Sequence, residues 1–267
     1  MKKQYDIDNG VRLIIDKKGK IEIFSNGGTL KRDWLQIAGI DRQDVTSIQI
    51  NGTIKLPNDA SGCDERGEYM FGGLTNLRSI DTQKMDTSGV TNMRGMFCNC
   101  KSLTELDLSS VDTSNVTDMD IAFDSCSRIQ YLNLDGFSTS KVTSMIGMFN
   151  ECSSLTHLDL SSFDTSSVTD MYWIFANCRA LKTLNVKSFR TSNVEDMERM
   201  FYKCYGLTLL DLSSFDMSNV KNMCEMFEEC RNLKTIIMCP AVQANTNTQN
   251  MFLNCPAKIE QATTFEK

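Results

Sequence analysis

A repeat with a period of 26 residues constrains the fold of this chain more than any other feature. Phenylalanine recurs every 26 residues, and a final copy follows after 25, at Phe71, Phe97, Phe123, Phe149, Phe175, Phe201, Phe227 and Phe252. Three residues later comes Leu74 in the first copy and cysteine in all the others, at Cys100, Cys126, Cys152, Cys178, Cys204, Cys230 and Cys255. Such self-similarity indicates stacked units, each of which buries its apolar face only against its neighbours.

Each unit begins with a pattern typical of a short strand. In the segment SLTELDLSS, Leu103, Leu106 and Leu108 end in strict alternation, which predicts a half-buried strand. A polar segment, Asp112–Ser114, then predicts a turn.

The second half of each unit has the spacing of a helix. Its apolar positions fall at intervals of three and four residues, in one stripe of about 120°, at Val116, Met119, Ala122, Phe123 and Cys126. A serine precedes each stripe, as Ser114 does here, and we interpret it as the N-cap. The prediction is an α/β fold: a right-handed solenoid, capped at both ends, with a parallel sheet on the concave side and short helices of about three turns on the convex side.

The eleven cysteines have an explanation in packing. Those in the repeat column lie on the apolar stripe, where we predict buried free thiols; disulfides and a metal site are the alternatives. Cys98 and Cys100 form a CxC pair with no histidine nearby, which is a weak signal for zinc. Most methionines share the stripe and are interpreted as core. We therefore predict no metal site and no cofactor.

Charge and hydropathy exclude some functions. The formal net charge is −6; residues 1–63 carry ten basic and eight acidic side chains, which leaves residues 64–267 at about −8. This balance argues against nucleic acid as a partner. No apolar run approaches the ~20 residues that span a bilayer, so we predict no membrane insertion. No signal peptide is visible at the start, which leaves an intracellular location and a removed export signal both open.

The repeat resembles a known family. The pattern Leu103-x-x-Leu106-x-Leu108 is similar to the leucine-rich-repeat signature, and Met148–Met171 (MFNECSSLTHLDLSSFDTSSVTDM) resembles the unit of BspA-like surface proteins. More narrowly, it resembles a repeat family of unknown function first noted in mycoplasmas. The resemblance covers residues 69–239, with a weaker copy at 251–255. It implies a leucine-rich-repeat solenoid, a location on the bacterial surface or in the medium, and a role in adhesion and host contact.

The repeat suggests three regions: an N-terminal β-rich cap at 1–63, the solenoid at 64–239 and a C-terminal cap at 240–267. Residues 11–15 and 20–24 predict a hairpin. A short helix is expected at Lys31–Ala38 and a strand at Val45–Ile50. We expect residues after Ala241 to cover the last repeat, because an open end would expose core and a sheet edge.

Nothing in the chain indicates an enzyme. His157 is the only histidine, and no sequence motif of a hydrolase, nucleotide-binding or zinc-protease site is present. Two columns of outward-facing strand residues are better candidates. The acid–amide column comprises Asp81, Asp107, Asn133, Asp159, Asn185 and Asp211, and is followed by Ile237. The variable column comprises Ser79, Glu105, Tyr131, His157, Thr183, Leu209 and Thr235.

We predict that the concave sheet binds a ligand through Glu105, Asp107, Tyr131, Asn133, His157, Asp159, Asn185 and Asp211. The hypothesis is a non-catalytic interaction or adhesion module, expected to be monomeric, that binds a protein or glycan, with host extracellular matrix as a candidate source of the ligand. Two alternatives stay open: a solvated polar column with no ligand, and an intracellular interaction scaffold.

Overall fold

The computed structural model describes residues 2–8, 10–61, 70–238 and 244–261. The chain forms a solenoid of parallel strands with about nine turns and very little helix. The strands are β1 (Lys3–Asp8), β2 (Val11–Ile15), β3 (Lys20–Phe24), β4 (Ser47–Asn51), β5 (Ile54–Lys55), β6 (Ser79–Ile80), β7 (Met85–Asp86), β8 (Glu105–Asp107), β9 (Tyr131–Asn133), β10 (His157–Asp159), β11 (Thr183–Asn185), β12 (Leu209–Leu212), β13 (Thr235–Met238) and β14 (Lys258–Gln261).

The N-terminal end is a sheet that passes from antiparallel to parallel pairing. Strands β1, β2 and β3 pair antiparallel, which confirms the predicted hairpin and adds β1 to it. Strand β3 then pairs parallel with β4, and β4 with β6. The predicted helix is shorter than expected, at Trp34–Ile37 (α1), and a 3-10 turn follows at Arg42–Asp44. Parallel stacking thus begins before the first recognisable repeat.

The repeat period fixes the strand register. Glu105 pairs with Tyr131, His157 with Thr183, and Leu209 with Thr235, each a step of one repeat. The last step is shorter, since Thr235 pairs with Lys258. Strand β14 lies in a region where the sequence pattern had not predicted a strand.

The second half of each repeat is not a helix in the described residues, so the prediction of short convex helices is wrong. In an α-helix the N–H of Cys126 would donate to the carbonyl of Ala122, four residues earlier. It donates instead to Phe123 O, three residues earlier (3.2 Å), while the Phe123 N–H donates to Met148 O of the next repeat (3.0 Å). Alternate amides therefore bond within a turn and between turns, and this replaces the helical ladder.

These turns need a left-handed backbone at two positions in each repeat. The first position is Gly95, Ile121, Gly147, Trp173, Arg199, Glu225 and Asn250. The second is Gly73, Asn99, Ser125, Glu151, Asn177, Lys203, Glu229 and Asn254. Glycine adopts positive φ freely, whereas other L-residues lose about 1–2 kcal/mol there. The hydrogen bonds between repeats hold these residues in place.

The core is a series of stacked columns. Phenylalanine rings of successive repeats stack from Phe71 to Phe252 with centroids 5.3–6.0 Å apart. Beside them, each buried thiol from Cys100 to Cys230 donates to the carbonyl of a phenylalanine one repeat earlier. Burial raises the pKa of Cys178 to about 12. The described cysteines are all free, and Cys63 and Cys239 lie outside the described residues.

The serines predicted to be helix N-caps do not cap helices. The Ser114 N–H donates to Asp112 Oδ1 (2.9 Å), so the serine receives an aspartate cap rather than supplying one. The threonine between them is buried, and its hydroxyl joins two repeats: Thr113 Oγ1 donates to Ser138 O (3.0 Å) and accepts from the Ser138 N–H (2.8 Å). The DTS segment therefore links neighbouring turns.

Candidate functional site

The strands bring the predicted site residues together on one face. Glu105 and Asp107 lie at the two ends of β8, and Tyr131 and Asn133 lie opposite them on β9. His157 and Asp159 face Thr183 and Asn185 across the β10–β11 pair, and Asp211 lies on β12. The alternate residues Leu106, Leu132, Leu158 and Leu210 are buried. The two predicted columns are therefore real features of the outward strand face, whereas their binding of a ligand stays a prediction.

The acid–amide column has a structural role that its sequence pattern did not reveal. The Oδ1 atom of each member accepts a hydrogen bond from the backbone N–H two residues later, as Asp107 does from Ser109 (3.0 Å) and Asn133 from Asp135 (3.0 Å). The backbone N–H of Ser109 holds the pKa of Asp107 below its ordinary value, and that of Ser161 does the same for Asp159. Each side chain thus closes the turn that follows its strand.

Amides also connect the column along the solenoid axis. Asn133 Nδ2 donates to Asp107 Oδ1 (3.0 Å), and Asn185 Nδ2 donates to Asp159 Oδ1 (2.9 Å). Burial favours the neutral form of Asp211, but hydrogen bonds from Ser213 and the nearby Lys187 ammonium lower its pKa overall. Asn between Asp relieves repulsion between adjacent carboxylates, as the alternation predicts.

The variable column contains the large exposed side chains of this face. Tyr131 is 58% exposed and Leu209 is 54% exposed. His157 is exposed between them, and its Nδ1 lies 2.8 Å from Thr156 Oγ1. Three strand steps of about 4.8 Å separate Tyr131 from Leu209, so about 14 Å of sheet lies between the two apolar groups. Such spacing suits a partner that contacts several repeats at once.

A third column was missed by sequence reasoning. Parallel bridges join Asn92, Asp118, Ser144, Asp170, Asp196, Asn222 and Asn247, which we name the bridge column. Here too the Asp and Asn side chains accept from the N–H two residues later, as Asp118 does from Asp120 (2.9 Å), whereas at Ser144 that N–H, of Ile146, donates to Asp120 Oδ1 (2.8 Å). Burial raises the pKa of Asp118 and Asp170, unlike that of the strand-face acids. Asp or Asn recurs one residue before a methionine, as in Asn92–Met93 and Asp118–Met119, and this signal in the sequence could have revealed the bridge column.

One more surface departs from the repeat pattern, on the turn side of three successive repeats. Tyr172 stacks on Trp173 (4.8 Å between centroids), and the Arg199 guanidinium lies 5.7 Å from the Trp173 ring. Arg199 Nε also pairs with Glu225 Oε2 at 2.6 Å. Trp173 has a left-handed backbone (φ 60°), and these contacts join its side chain to Tyr172 and Arg199.

The described residues contain neither a metal-binding cluster nor a membrane-spanning helix. No group of three or more His, Cys, Asp or Glu side chains is arranged to hold a metal ion in the part of the chain that the structure describes. Within the same ranges, no helix is long and apolar enough to cross a membrane.

The fold and this face define the class of protein: a leucine-rich-repeat solenoid. The family model described as "Mycoplasma protein of unknown function, DUF285" matches residues 66–183 and 155–265. The chain belongs to this family, which confirms the resemblance seen in the repeat. No curated protein matches.

Solved structures of low identity are similar to this chain. A leucine-rich repeat protein from Eubacterium ventriosum ATCC 27560 is 14% identical over 100% of this chain and 98% of its own, with a TM-score of 0.33. A leucine rich cell surface protein from Faecalibacterium prausnitzii A2-165 is 15% identical over 98% of this chain and 96% of its own, with a TM-score of 0.26. A chain in a TLR13–ssRNA13 complex is 18% identical to this chain, and the match covers 80% of this chain and 32% of the other, with a TM-score of 0.33.

Proposed function

We propose that this chain is a non-catalytic interaction module, and that its outward strand face binds a protein ligand. The observation that carries the proposal is the exposure of Tyr131 and Leu209 on a face whose neighbouring column is polar and ordered. Aromatic and aliphatic anchors flanked by fixed polar groups are typical of interaction surfaces. Tyrosine offers a large contact area and a hydroxyl at low cost in conformational entropy.

The acid–amide column supplies the polar part of the surface. Asp107 and Asp159 are ionised at neutral pH, as exposed aspartates ordinarily are, and hydrogen bonds from Ser109 and Ser161 lower their pKa further. Exposed carboxylates at a regular spacing favour a ligand with basic side chains. Their turn-closing hydrogen bonds fix these carboxylates before a ligand arrives, which reduces the entropic cost of binding.

The biological setting that we propose is the bacterial surface or the medium, with adhesion to host extracellular matrix as the role. Its support is the similarity of the repeat to BspA-like surface proteins and the family to which the chain belongs. The regions 1–63, 64–239 and 240–267 are proposed as N-terminal cap, binding solenoid and C-terminal cap. An intracellular scaffold is the alternative.

The test is a binding screen against immobilised extracellular-matrix proteins, with a glycan array in parallel. The variant Tyr131→Ala/Leu209→Ala is expected to lose binding about 10-fold or more, because truncated anchor residues often cost over 1 kcal/mol. Ile37→Ala, which removes an exposed apolar side chain in α1, is the control. Asp159→Asn tests the charge while it preserves the oxygen that accepts from Ser161.

Each outcome has a clear meaning. Binding that the double variant loses and Ile37→Ala keeps supports the strand face as the site. Binding that both variants keep moves the site elsewhere on the chain. A glycan hit with no protein hit would contradict the choice of a protein ligand. If no probe binds, capture from a lysate of the source cell tests the intracellular alternative.

A further inference from the structure

The last strand of the solenoid leaves one edge open. Strand β14 ends the sheet β12–β13–β14, and in the ranges 244–261 and 70–238 no strand pairs with its other side. All four of its residues are exposed. An unpaired strand edge offers N–H and C=O groups to another strand.

The backbone of Ile259 faces this open edge. The Lys258 N–H donates to Lys234 O (2.9 Å), so the peptide groups of Lys258 point towards β13. Because these groups alternate in direction along a strand, the N–H and C=O of Ile259 point away from β13. A residue whose N–H and C=O both point to a side where no described strand pairs can form the paired hydrogen bonds of an antiparallel partner.

Apolar side chains reach the surface at this end, beside the charged Lys258 and Glu260 and the polar Thr248 and Asn250. Ile259 continues the core column of Leu210 and Ile236, which are at most 1% exposed, yet Ile259 itself is 48% exposed. It borders a hollow lined by Met238, Met251, Phe252 and Leu253. Phe252 stacks on Phe227 on its inner side. The core therefore continues to the end surface of the solenoid.

We propose that this end binds a second copy of the chain, through antiparallel pairing of β14 with β14 about a two-fold axis at Ile259. Each Ile259 then donates its N–H to the carbonyl of the other Ile259. The same register sets Lys258 of each copy opposite Glu260 of the other, so two opposite-charge pairs flank the axis. The two hollows meet and bury the exposed isoleucines.

The sequence of β14 selects this partner and this register. A shift by one residue would set Ile259 opposite Glu260 and Lys258 opposite Gln261, which separates the charged pairs and places an acid against an aliphatic side chain. Two-fold symmetry requires a self-complementary surface, and Lys-Ile-Glu read antiparallel to itself is one. The proposed dimer is an alternative to the monomer expected from the sequence. Its small contact predicts a Kd of roughly 1–100 µM.

The experiment is sedimentation velocity of the 267-residue chain over a concentration series. The wild type is expected to show a concentration-dependent dimer. Lys258→Glu alone and Glu260→Lys alone place like charges opposite each other at both pairs, and each is expected to weaken dimerisation at least about 10-fold. An equimolar mixture of the two variants restores both opposite-charge pairs and is expected to form a heterodimer.

The control is Lys101→Glu, a charge reversal at an exposed residue far from β14 in the chain. It is expected to leave dimerisation unchanged. Circular dichroism of each variant checks that the solenoid remains folded. A wild type that stays monomeric overturns the proposal. So does a dimer that neither charge reversal weakens, or a mixture of the two variants that stays monomeric.

Discussion

The turn side and the strand side of each repeat differ in how many of their residues have a structural role. On the turn side, nearly every position has a structural job: phenylalanine rings stack, thiols bond to carbonyls, and alternate amides join successive turns. On the strand side, one outward column closes turns, while the variable column, with Tyr131 and Leu209, is exposed. Substitutions in the exposed variable column should therefore leave the solenoid folded, and this column is where residues that determine binding specificity can differ.

The largest expected effect compares Phe149→Ala with His157→Ala. Phe149 is fully buried between the rings of Phe123 and Phe175, so its loss leaves a cavity and is expected to cost about 3–5 kcal/mol of the free energy of unfolding. His157 is exposed, and its loss is expected to change stability by under about 0.5 kcal/mol. Urea unfolding measures both. Equal losses of unfolding free energy in the two variants would contradict the assignment of a structural role to Phe149 and an exposed, non-structural position to His157.

The next effect tests the left-handed turn positions with two changes at one residue. Glu151 is exposed and has φ 57°. Glu151→Gly is expected to be neutral or to stabilise by up to about 1 kcal/mol, since glycine adopts this conformation without strain. Glu151→Val is expected to destabilise by about 1–2 kcal/mol, because a β-branched side chain is disfavoured at positive φ. Thermal unfolding of the two variants measures the difference in stability. If Glu151→Val were more stable than Glu151→Gly, backbone strain at this position would be excluded as the cause.

The smallest effect compares the acids of the bridge column with those of the strand face. Asp170→Asn removes a carboxylate whose pKa is raised by burial and by repulsion from Asp196, and is expected to stabilise by about 0.2–1 kcal/mol at pH 7. Asp159→Asn removes a carboxylate whose pKa is lowered, and is expected to destabilise slightly. Both asparagines keep an oxygen for the turn-closing hydrogen bond. Unfolding in urea at pH 7 measures the two differences.

The pH dependence of these two variants follows from the signs of the shifts. A lowered pKa in the folded state, as for Asp159, gives stability above the unfolded value of about 3.9 that is lost as pH falls through the folded pKa. A raised pKa, as for Asp170, gives stability below about 3.9 that is lost as pH rises through the folded pKa. At low pH both carboxyl groups are protonated and therefore neutral, like the asparagine side chains that replace them. The difference in stability between each variant and the wild type should then vanish, and a difference that persists at low pH has another origin.

Part of the structure could be predicted from local pattern. The alternation of Leu106 and Leu108 predicted a strand, and the fixed period predicted parallel pairing in register, since a strand can bury one face only by repeating the same step. The buried cysteine and methionine columns followed from their place in the apolar stripe. Placement of Glu105 to Asp211 on one outward face followed from the same alternation.

Other features could not be predicted in this way. The stripe from Val116 to Cys126 suits a helix and suits a run of turns equally, because both return apolar residues to one side every three or four positions. The acid–amide column looked like a free recognition strip, whereas its oxygens close turns. In each case a backbone N–H donates the deciding hydrogen bond, to a carbonyl of the next repeat in the turns and to a side-chain oxygen in the column, and the side-chain pattern does not show where that N–H points.

By itself, the sequence determined the solenoid, its step of one repeat, its core columns and its two outward columns. These depend on which residues are apolar and how often they recur. Only the tertiary structure decided between helix and turn. The choice depends on bonds such as Phe123 N–H to Met148 O, which join residues one repeat apart and form only once the next turn is already in place. That is why a local stripe predicted a helix where the stacked chain forms turns.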